Sequence, residues 1–222
     1  MSSNNVLKGV FLVGLGAASY GMLATFVKLA YKDVSSQGLH YTPAEVIVAQ
    51  FVIGILAVLG INAFQKIKKK TNVIKATKAD VKNLMLVGTS TGLTSIFYYL
   101  AVKYIPVSIG IVLLMQTVWM GVVLEMILEK KIPSRIKVIA VFVVLFGTLL
   151  ATNVLNNEIN LDWRGIALGL LAAASFTTTM FAANKVALTI SSAQRSLYML
   201  LGGIIVVVIF AFFTQNTPFN FD

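Results

Sequence analysis

The sequence lacks the residues on which many enzymes and metal sites depend. It has no cysteine and a single histidine, His40, so disulfides, thiol catalysis and soft-metal sites are excluded. Charged residues make up 12% of the 222-residue chain, and Asp and Glu together number eight. The sequence contains no H-E-x-x-H, no G-x-S-x-G and no paired intramembrane aspartates. We therefore expect no catalytic residues, no metal and no cofactor.

Apolar residues are what the chain has in excess. They account for 58% of it, and the mean hydropathy of +0.87 lies outside the range of soluble domains. A helix needs about 20 mostly apolar residues to cross a membrane. The third and fourth apolar segments form a hairpin that turns at Tyr104, Ile105 and Pro106. The prediction is an all-α polytopic membrane protein with seven spans, at about 9–30, 44–64, 83–102, 105–128, 136–155, 163–188 and 196–213.

The basic residues predict the orientation of these spans. When the loops are assigned to alternate sides, four basic residues fall on one side, namely Lys28, Lys32, Lys103 and Arg164. Basic loops stay cytoplasmic, so the N-terminus is predicted inside and the C-terminus outside the cytoplasmic membrane. The cytoplasmic set comprises Lys8, Lys66, Lys68, Lys69, Lys70, Lys75, Lys78, Lys82, Lys130, Lys131, Arg135, Lys137, Lys185 and Arg195.

The dense run of lysines between Lys66 and Lys82 also bears on partners. Such a run suits anionic lipid headgroups. No aromatic or glycine-rich readout element accompanies it, so nucleic acid is not an expected partner. The expected partners are membrane lipids and a small-molecule substrate, with a homodimer as a further option.

A short internal sequence repeat indicates that the chain has two related parts. The sequence GLGAASY begins at Gly14 and GLLAAASF at Gly169, so Ala17 to Tyr20 align with Ala173 to Phe176. The second copy lies five spans after the first, an odd number, so it would enter the membrane inverted. Inverted repeats are typical of secondary transporters, whose substrate sites lie near the midplane. We predict a first repeat at 1–155 and the start of a second, inverted repeat at 156–222.

Polar side chains at similar depth in four spans predict a substrate cavity. Hydroxyl and amide groups in lipid must face other helices or a wet cavity. An alternative for each Ser or Thr is a hydrogen bond to its own helix backbone. The aromatic members are alternatively interfacial anchors. The candidate cavity residues are Ser19, Tyr20, Thr91, Thr94, Ser95, Tyr98, Gln116, Trp119, Ser175, Thr178 and Thr179.

Two charged residues near the predicted outer surface form a candidate gate. Lys28 lies about two turns below the outer end of span one, and Glu45 opens span two from the same side. They are predicted to pair as a gate or to bind a zwitterion. Snorkelling of Lys28 to the headgroups is the alternative.

Several short motifs resemble those of one transporter family. Residues 101–108, AVKYIPVS, resemble the turn between spans three and four of EamA-like members of the drug/metabolite transporter superfamily. Seven further residues agree in register, namely Tyr20 with Gly21, Lys28, Glu45, Glu129 with Lys130, and Gly147.

The resemblance implies a fold and a function. It implies two inverted five-span repeats and export of small metabolites, amino acids or drug-like compounds by alternating access. Three positions depart from the family pattern, since Gln50 replaces an arginine, Gln116 a proline and Ala140 a glycine. Seven spans of about ten are present, so the second repeat is predicted to be incomplete, through truncation or a need for a partner. A non-transporting scaffold or receptor is the alternative function, and a membrane enzyme lacks the necessary residues.

Overall fold

The chain folds into a series of α-helices whose positions match the apolar segments. A computed structural model describes residues 3–32, 40–68, 76–130, 132–151 and 162–215, and these are almost entirely helical. The helices of the described residues are α1 (Ser3–Lys32), α2 (Pro43–Lys68), α3 (Lys78–Tyr104), α4 (Val107–Met115), α5 (Thr117–Glu129), α6 (Arg135–Ala151), α7 (Trp163–Ala183) and α8 (Ser192–Thr214).

Five membrane-span candidates occur among the described residues. They are long and apolar enough to cross a membrane: Pro43–Ile67, Lys78–Tyr104, Val107–Glu129, Trp163–Ala183 and Ser192–Thr214. The predicted polytopic all-α class is confirmed at this level, and the chain is a multi-pass membrane protein. The total of seven spans and the inverted repeat stay predictions.

Local sequence explains where several helices begin and end. Thr77 and Asp80 form a capping box at the start of α3, in which each side chain accepts a hydrogen bond from the other residue's backbone N–H. Ser191 caps α8 in the same way, accepting from the Gln194 N–H. Pro106 follows the end of α3 and stands at the N-cap of α4, so the predicted hairpin turn is confirmed.

The fourth segment differs from its prediction as a single helix. Gln116 separates α4 from α5, and its backbone N–H donates to the carbonyl of Leu113 at 3.1 Å, a three-residue spacing that tightens the turn. No proline or glycine stands at the break, so composition gave no signal for it.

The chain divides into two compact units, Met1–Thr42 with Asn220–Asp222 and Pro43–Phe219. The described residues of the first include helix α1. In the second, which we call the main unit, α3 is central and packs extensively against α7 and α8. Helix α8 also packs on α2, and α7 on α4 and α5, while α6 makes smaller contacts with α4 and α5.

Glycines allow α3 and α8 to approach until their backbones touch. A Cβ placed on Gly88 would lie 2.0 Å from the carbonyl oxygen of Met199, and one on Gly202 would lie 2.0 Å from that of Met85. Gly88 and Gly92 form a G-x-x-x-G pattern, which brings membrane helices close together. This contact fixes α3 and α8 against each other.

Helices α2 and α8 of the main unit run in opposite directions, whereas α5 and α7 run in the same direction. Asn62, near the end of α2, donates to the carbonyl of Ala193 at the start of α8, at 3.0 Å. At the opposite end, Gln215 after α8 donates to Glu45 in the first turn of α2, at 3.0 Å. The last turns of α5 and α7 lie at the same end of the bundle as the first turn of α6, because Glu125 of α5 pairs with Lys137 of α6 and Glu129 pairs with Lys185 after α7. We call this the α5 end.

Candidate functional site

Helices α3 and α7 are joined by hydroxyl groups in the middle of the bundle. The hydroxyls of Ser90 and Thr179 lie 2.6 Å apart, and Ser175 donates to the Ser90 carbonyl at 2.8 Å. Thr179 is buried. Hydrogen bonds of this kind tie adjacent membrane helices together at about 0.6 kcal/mol each. We call this set of hydrogen bonds between Ser90, Ser175 and Thr179 the α3–α7 seam.

A second hydroxyl pair joins α5 to α7. Thr117 directly follows the break at Gln116, and its hydroxyl lies 2.6 Å from that of Thr177, which is 5% exposed. Thr177 also donates to its own helix, at the Ala173 carbonyl. The break therefore coincides with a polar contact at mid-helix depth, and interrupted helices are a feature of transporter sites.

A cleft of about 340 Å³ runs from this hydroxyl pair to the α5 end of the bundle. Its two walls come from α5 and from α7 with the residues just after it. The walls are partly apolar, and polar groups stand at both ends of the cleft. The lining residues are Thr117, Gly121, Glu125, Glu129, Thr177, Met180, Phe181, Asn184 and Lys185.

Two ion pairs stand at the mouth of the cleft. Lys137 of α6 donates to both carboxylate oxygens of Glu125, at 2.8 and 2.7 Å. Lys185, which follows α7, pairs with Glu129. Its ammonium nitrogen also lies 4.4 Å from the centre of the Phe181 ring, a cation–π contact. The mouth thus combines carboxylates, an aromatic face and an ammonium group.

The residues predicted on α3 lie against neighbouring helices. Thr94 and Tyr98 are buried, and Thr94 donates to its own helix at the Ser90 carbonyl. Tyr98 makes an edge-to-face ring contact with Tyr99. The hydroxyl oxygen of Thr91 is buried, with no hydrogen-bond partner among the described residues. Ser95 is half-buried.

The residues predicted on the other spans of the main unit have varied surroundings. Gln116 donates to the Val112 carbonyl at 3.1 Å and accepts from the indole N–H of Trp119, which is 38% exposed. Thr178 is exposed and donates to the Ala174 carbonyl of its own helix. Ser175 and Thr179 belong to the α3–α7 seam. None of these predicted residues lines the cleft.

Three of the remaining predicted residues, Ser19, Tyr20 and Lys28, belong to the first unit, and Glu45 belongs to the main unit. Ser19 is an exposed residue of α1, and the side chains of Tyr20 and Lys28 lie outside the described part of the chain. Glu45 is 5% exposed and accepts a hydrogen bond from Gln215. Its pairing with Lys28 stays a prediction, as does the cavity.

Sequence reasoning left out most of the residues that line the cleft. Glu129 was named only for its family motif and Lys185 only as a cytoplasmic basic residue. Thr117, Glu125 and Thr177 are not among the predicted cavity residues. The sequence feature that could have identified them is helical spacing. Glu125 and Glu129 lie one turn apart on one face of α5, the helix that begins at Thr117.

A bundle of five helices of membrane-spanning length among the described residues defines a multi-pass membrane protein. The family model of the EamA-like transporter family matches residues 7–153 of the chain, well over half of its length. The chain therefore belongs to the EamA-like transporter family, a family of transporters rather than enzymes. No curated protein matches the chain.

Proposed function

We propose that the protein is a secondary transporter that exports small metabolites, amino acids or drug-like compounds across the cytoplasmic membrane by alternating access. The observation that supports this function best is the cleft between α5 and α7. Its volume of about 340 Å³ falls in the range of small-molecule sites, and its lining combines apolar surface from Met180 and Phe181 with polar and charged groups.

The contacts around the cleft suggest which helices move. Helices α3 and α8 touch backbone to backbone at Gly88 and Gly202, so sliding or separation there would break dense packing. Helices α5 and α7 pack less extensively than α3 and α8, and their contact includes one hydroxyl pair and the Glu129–Lys185 ion pair. Such bonds break and re-form at low cost. Rocking of α7 against α5 is therefore the proposed motion that opens and closes the cleft.

The charge distribution supports the direction of opening. The cleft opens at the end of the bundle that carries Lys130, Arg135, Lys137 and Lys185. Basic residues concentrate on the cytoplasmic side of membrane proteins. In this proposal the described conformation takes up substrate from the cytoplasm, as export requires.

A substitution that fills the cleft tests the function. Gly121 lines the cleft, and a Cβ built on it meets no atom within 4 Å, so Gly121→Leu occupies the cleft without disturbing the packing. Gly60 of α2 has equally open surroundings but lies outside the cleft lining, so Gly60→Leu is the matched control. The measurement is uptake of radiolabelled amino acids, amines and organic anions into proteoliposomes of native and variant protein.

We expect native protein and Gly60→Leu to transport at least one of these compounds equally. Gly121→Leu should lower that rate at least about tenfold, because a side chain then competes with substrate for the same volume. Equal transport by both variants would exclude the cleft as the route. Absence of transport across the panel by native protein would favour a non-transporting receptor or scaffold.

A further inference from the structure

We propose that the mouth of the cleft is an ammonium-binding site, and that Lys185 occupies it when no substrate is bound. The inference rests on the proposed transport function and deepens it by naming the substrate class, amphipathic compounds with a protonated amine. It is carried by three observations: the two lysine-paired carboxylates at the mouth, the surroundings of the Lys185 ammonium group, and the exposure of Lys185.

Two carboxylates at the mouth of the cleft are each paired with an ammonium group. Glu125 and Glu129 lie in the last two turns of α5, and Asn184 caps the end of α7 beside them. A helix C-terminus carries about half a negative charge, so carboxylates there are unfavourable for the helix itself. They are balanced by the ammonium groups of Lys137 and Lys185. The two glutamates therefore already bind alkylammonium groups, which the protein itself supplies.

The ammonium group of Lys185 shows how that cation is held. Its nitrogen contacts the Glu129 carboxylate and stands 4.4 Å from the centre of the Phe181 ring. A carboxylate beside an aromatic face is a favourable environment for an alkylammonium ion, because the ring face is negative and the carboxylate supplies the counter-charge. The protein's own side chain thus occupies a site of the shape and charge that a substrate amine requires.

Lys185 is well placed to leave this site. Its side chain is 48% exposed, and it follows the end of α7 rather than standing within the helix. Partly exposed ion pairs of this kind contribute little net stability, and a lysine side chain has several rotatable bonds. A substrate amine can therefore displace it, and the ion pair re-forms after release.

The rest of the cleft defines the remainder of the substrate. Met180 and Phe181 supply apolar surface beyond the ammonium position, and the Thr117 and Thr177 hydroxyls stand at the inner limit. A compound that places its amine at Glu129 and an apolar body along α7 matches this sequence of surfaces.

Calorimetric titration of the purified full chain in detergent tests the inference without requiring transport. The probe is 2-phenylethylammonium, and 2-phenylethanol and phenylacetate are its neutral and anionic analogues. Lys185→Gln removes the competing ammonium group and should tighten binding of the probe about tenfold. Lys185→Arg should bind as the native protein does, because the guanidinium keeps both contacts. Glu129→Gln should weaken probe binding at least about tenfold.

Two further variants separate this effect from changes in net charge or folding. Lys130→Gln removes one positive charge next to Glu129 but lies outside the cleft lining, so it should tighten binding of the probe less than Lys185→Gln does. Phe181→Leu keeps the charges and removes the ring, and should weaken binding about threefold.

Several results would overturn the inference. They are equal affinity in native protein and Lys185→Gln, an equal gain in Lys130→Gln, an equal gain for 2-phenylethanol, or no preference of the native protein for the amine. Transport of other compounds without amine binding would remove this inference and leave the transport function standing. Amine binding by a protein that transports nothing would leave the ammonium site standing and contradict the transport function.

Discussion

Hydroxyl side chains in the main unit differ in their partners. Ser90 and Thr117 meet hydroxyls of another helix, whereas Thr94 and Thr178 donate to carbonyls of their own helices. Thr177 and Thr178 are adjacent in the sequence, yet Thr177 is buried against α5 and Thr178 is exposed. The sequence shows the residue types but does not show which side of the helix packs against a neighbour.

The two threonines of α7 allow a matched test at this scale. Thr177→Val keeps the shape of the side chain but removes a buried hydroxyl that pairs with Thr117, so we expect destabilisation by about 0.6–2 kcal/mol. Thr178→Val removes an exposed hydroxyl bonded within its own helix and should be close to neutral. Unfolding in detergent measures both changes.

A double-mutant cycle identifies the partner of Thr177. Thr117→Val and Thr177→Val should show a coupling free energy of about 0.6 kcal/mol, because each removes the same hydrogen bond. The pair Thr117→Val and Thr178→Val should be additive. Additivity in both cycles would mean that the hydroxyls of α5 and α7 do not meet.

Glycine decides the packing at the scale of helices. Helix α3 contacts α8 through Gly88 and Gly92, and in both places a Cβ would collide with a backbone carbonyl of α8. Gly60 and Gly147 also lie in helices but face open space. The G-x-x-x-G spacing is visible in the sequence, although it does not name the partner helix.

Alanine substitution distinguishes the two kinds of glycine. Gly88→Ala forces α3 and α8 apart, because the new Cβ would stand 2.0 Å from the Met199 carbonyl oxygen. We expect the melting temperature in detergent to fall by about 5 °C or more. Gly60→Ala should keep or raise it, since alanine favours a helix over glycine by about 1 kcal/mol. Equal melting of both variants would contradict the close approach of α3 and α8.

At the scale of the whole molecule, the apolar segments predicted where helices occur. Length and hydropathy suffice for that, because a lipid-embedded backbone must satisfy its own hydrogen bonds. The break at Gln116 escaped prediction, since no proline or glycine marks it. The cleft escaped as well. Its residues come from α5 and α7, and the sequence does not reveal that these helices are adjacent while α3 occupies the centre.

The orientation of the whole molecule is testable because the chain has no cysteine. Each introduced thiol is then the sole target of a thiol reagent. Ser108 lies exposed in the first turn of α4, and Ser134 lies exposed just before α6, at the other end of the α4–α5 span. Excess basic residues at the Ser134 end predict that this end is cytoplasmic.

A membrane-impermeant maleimide should therefore label Ser108→Cys in intact cells, and Ser134→Cys after the membrane has been permeabilised. The two substitutions are chemically identical, so a difference between them reports position alone. The opposite pattern would place the mouth of the cleft outside. The described conformation would then face away from the cytoplasm, and the same cleft would serve uptake or release at the outer surface instead of capture for export.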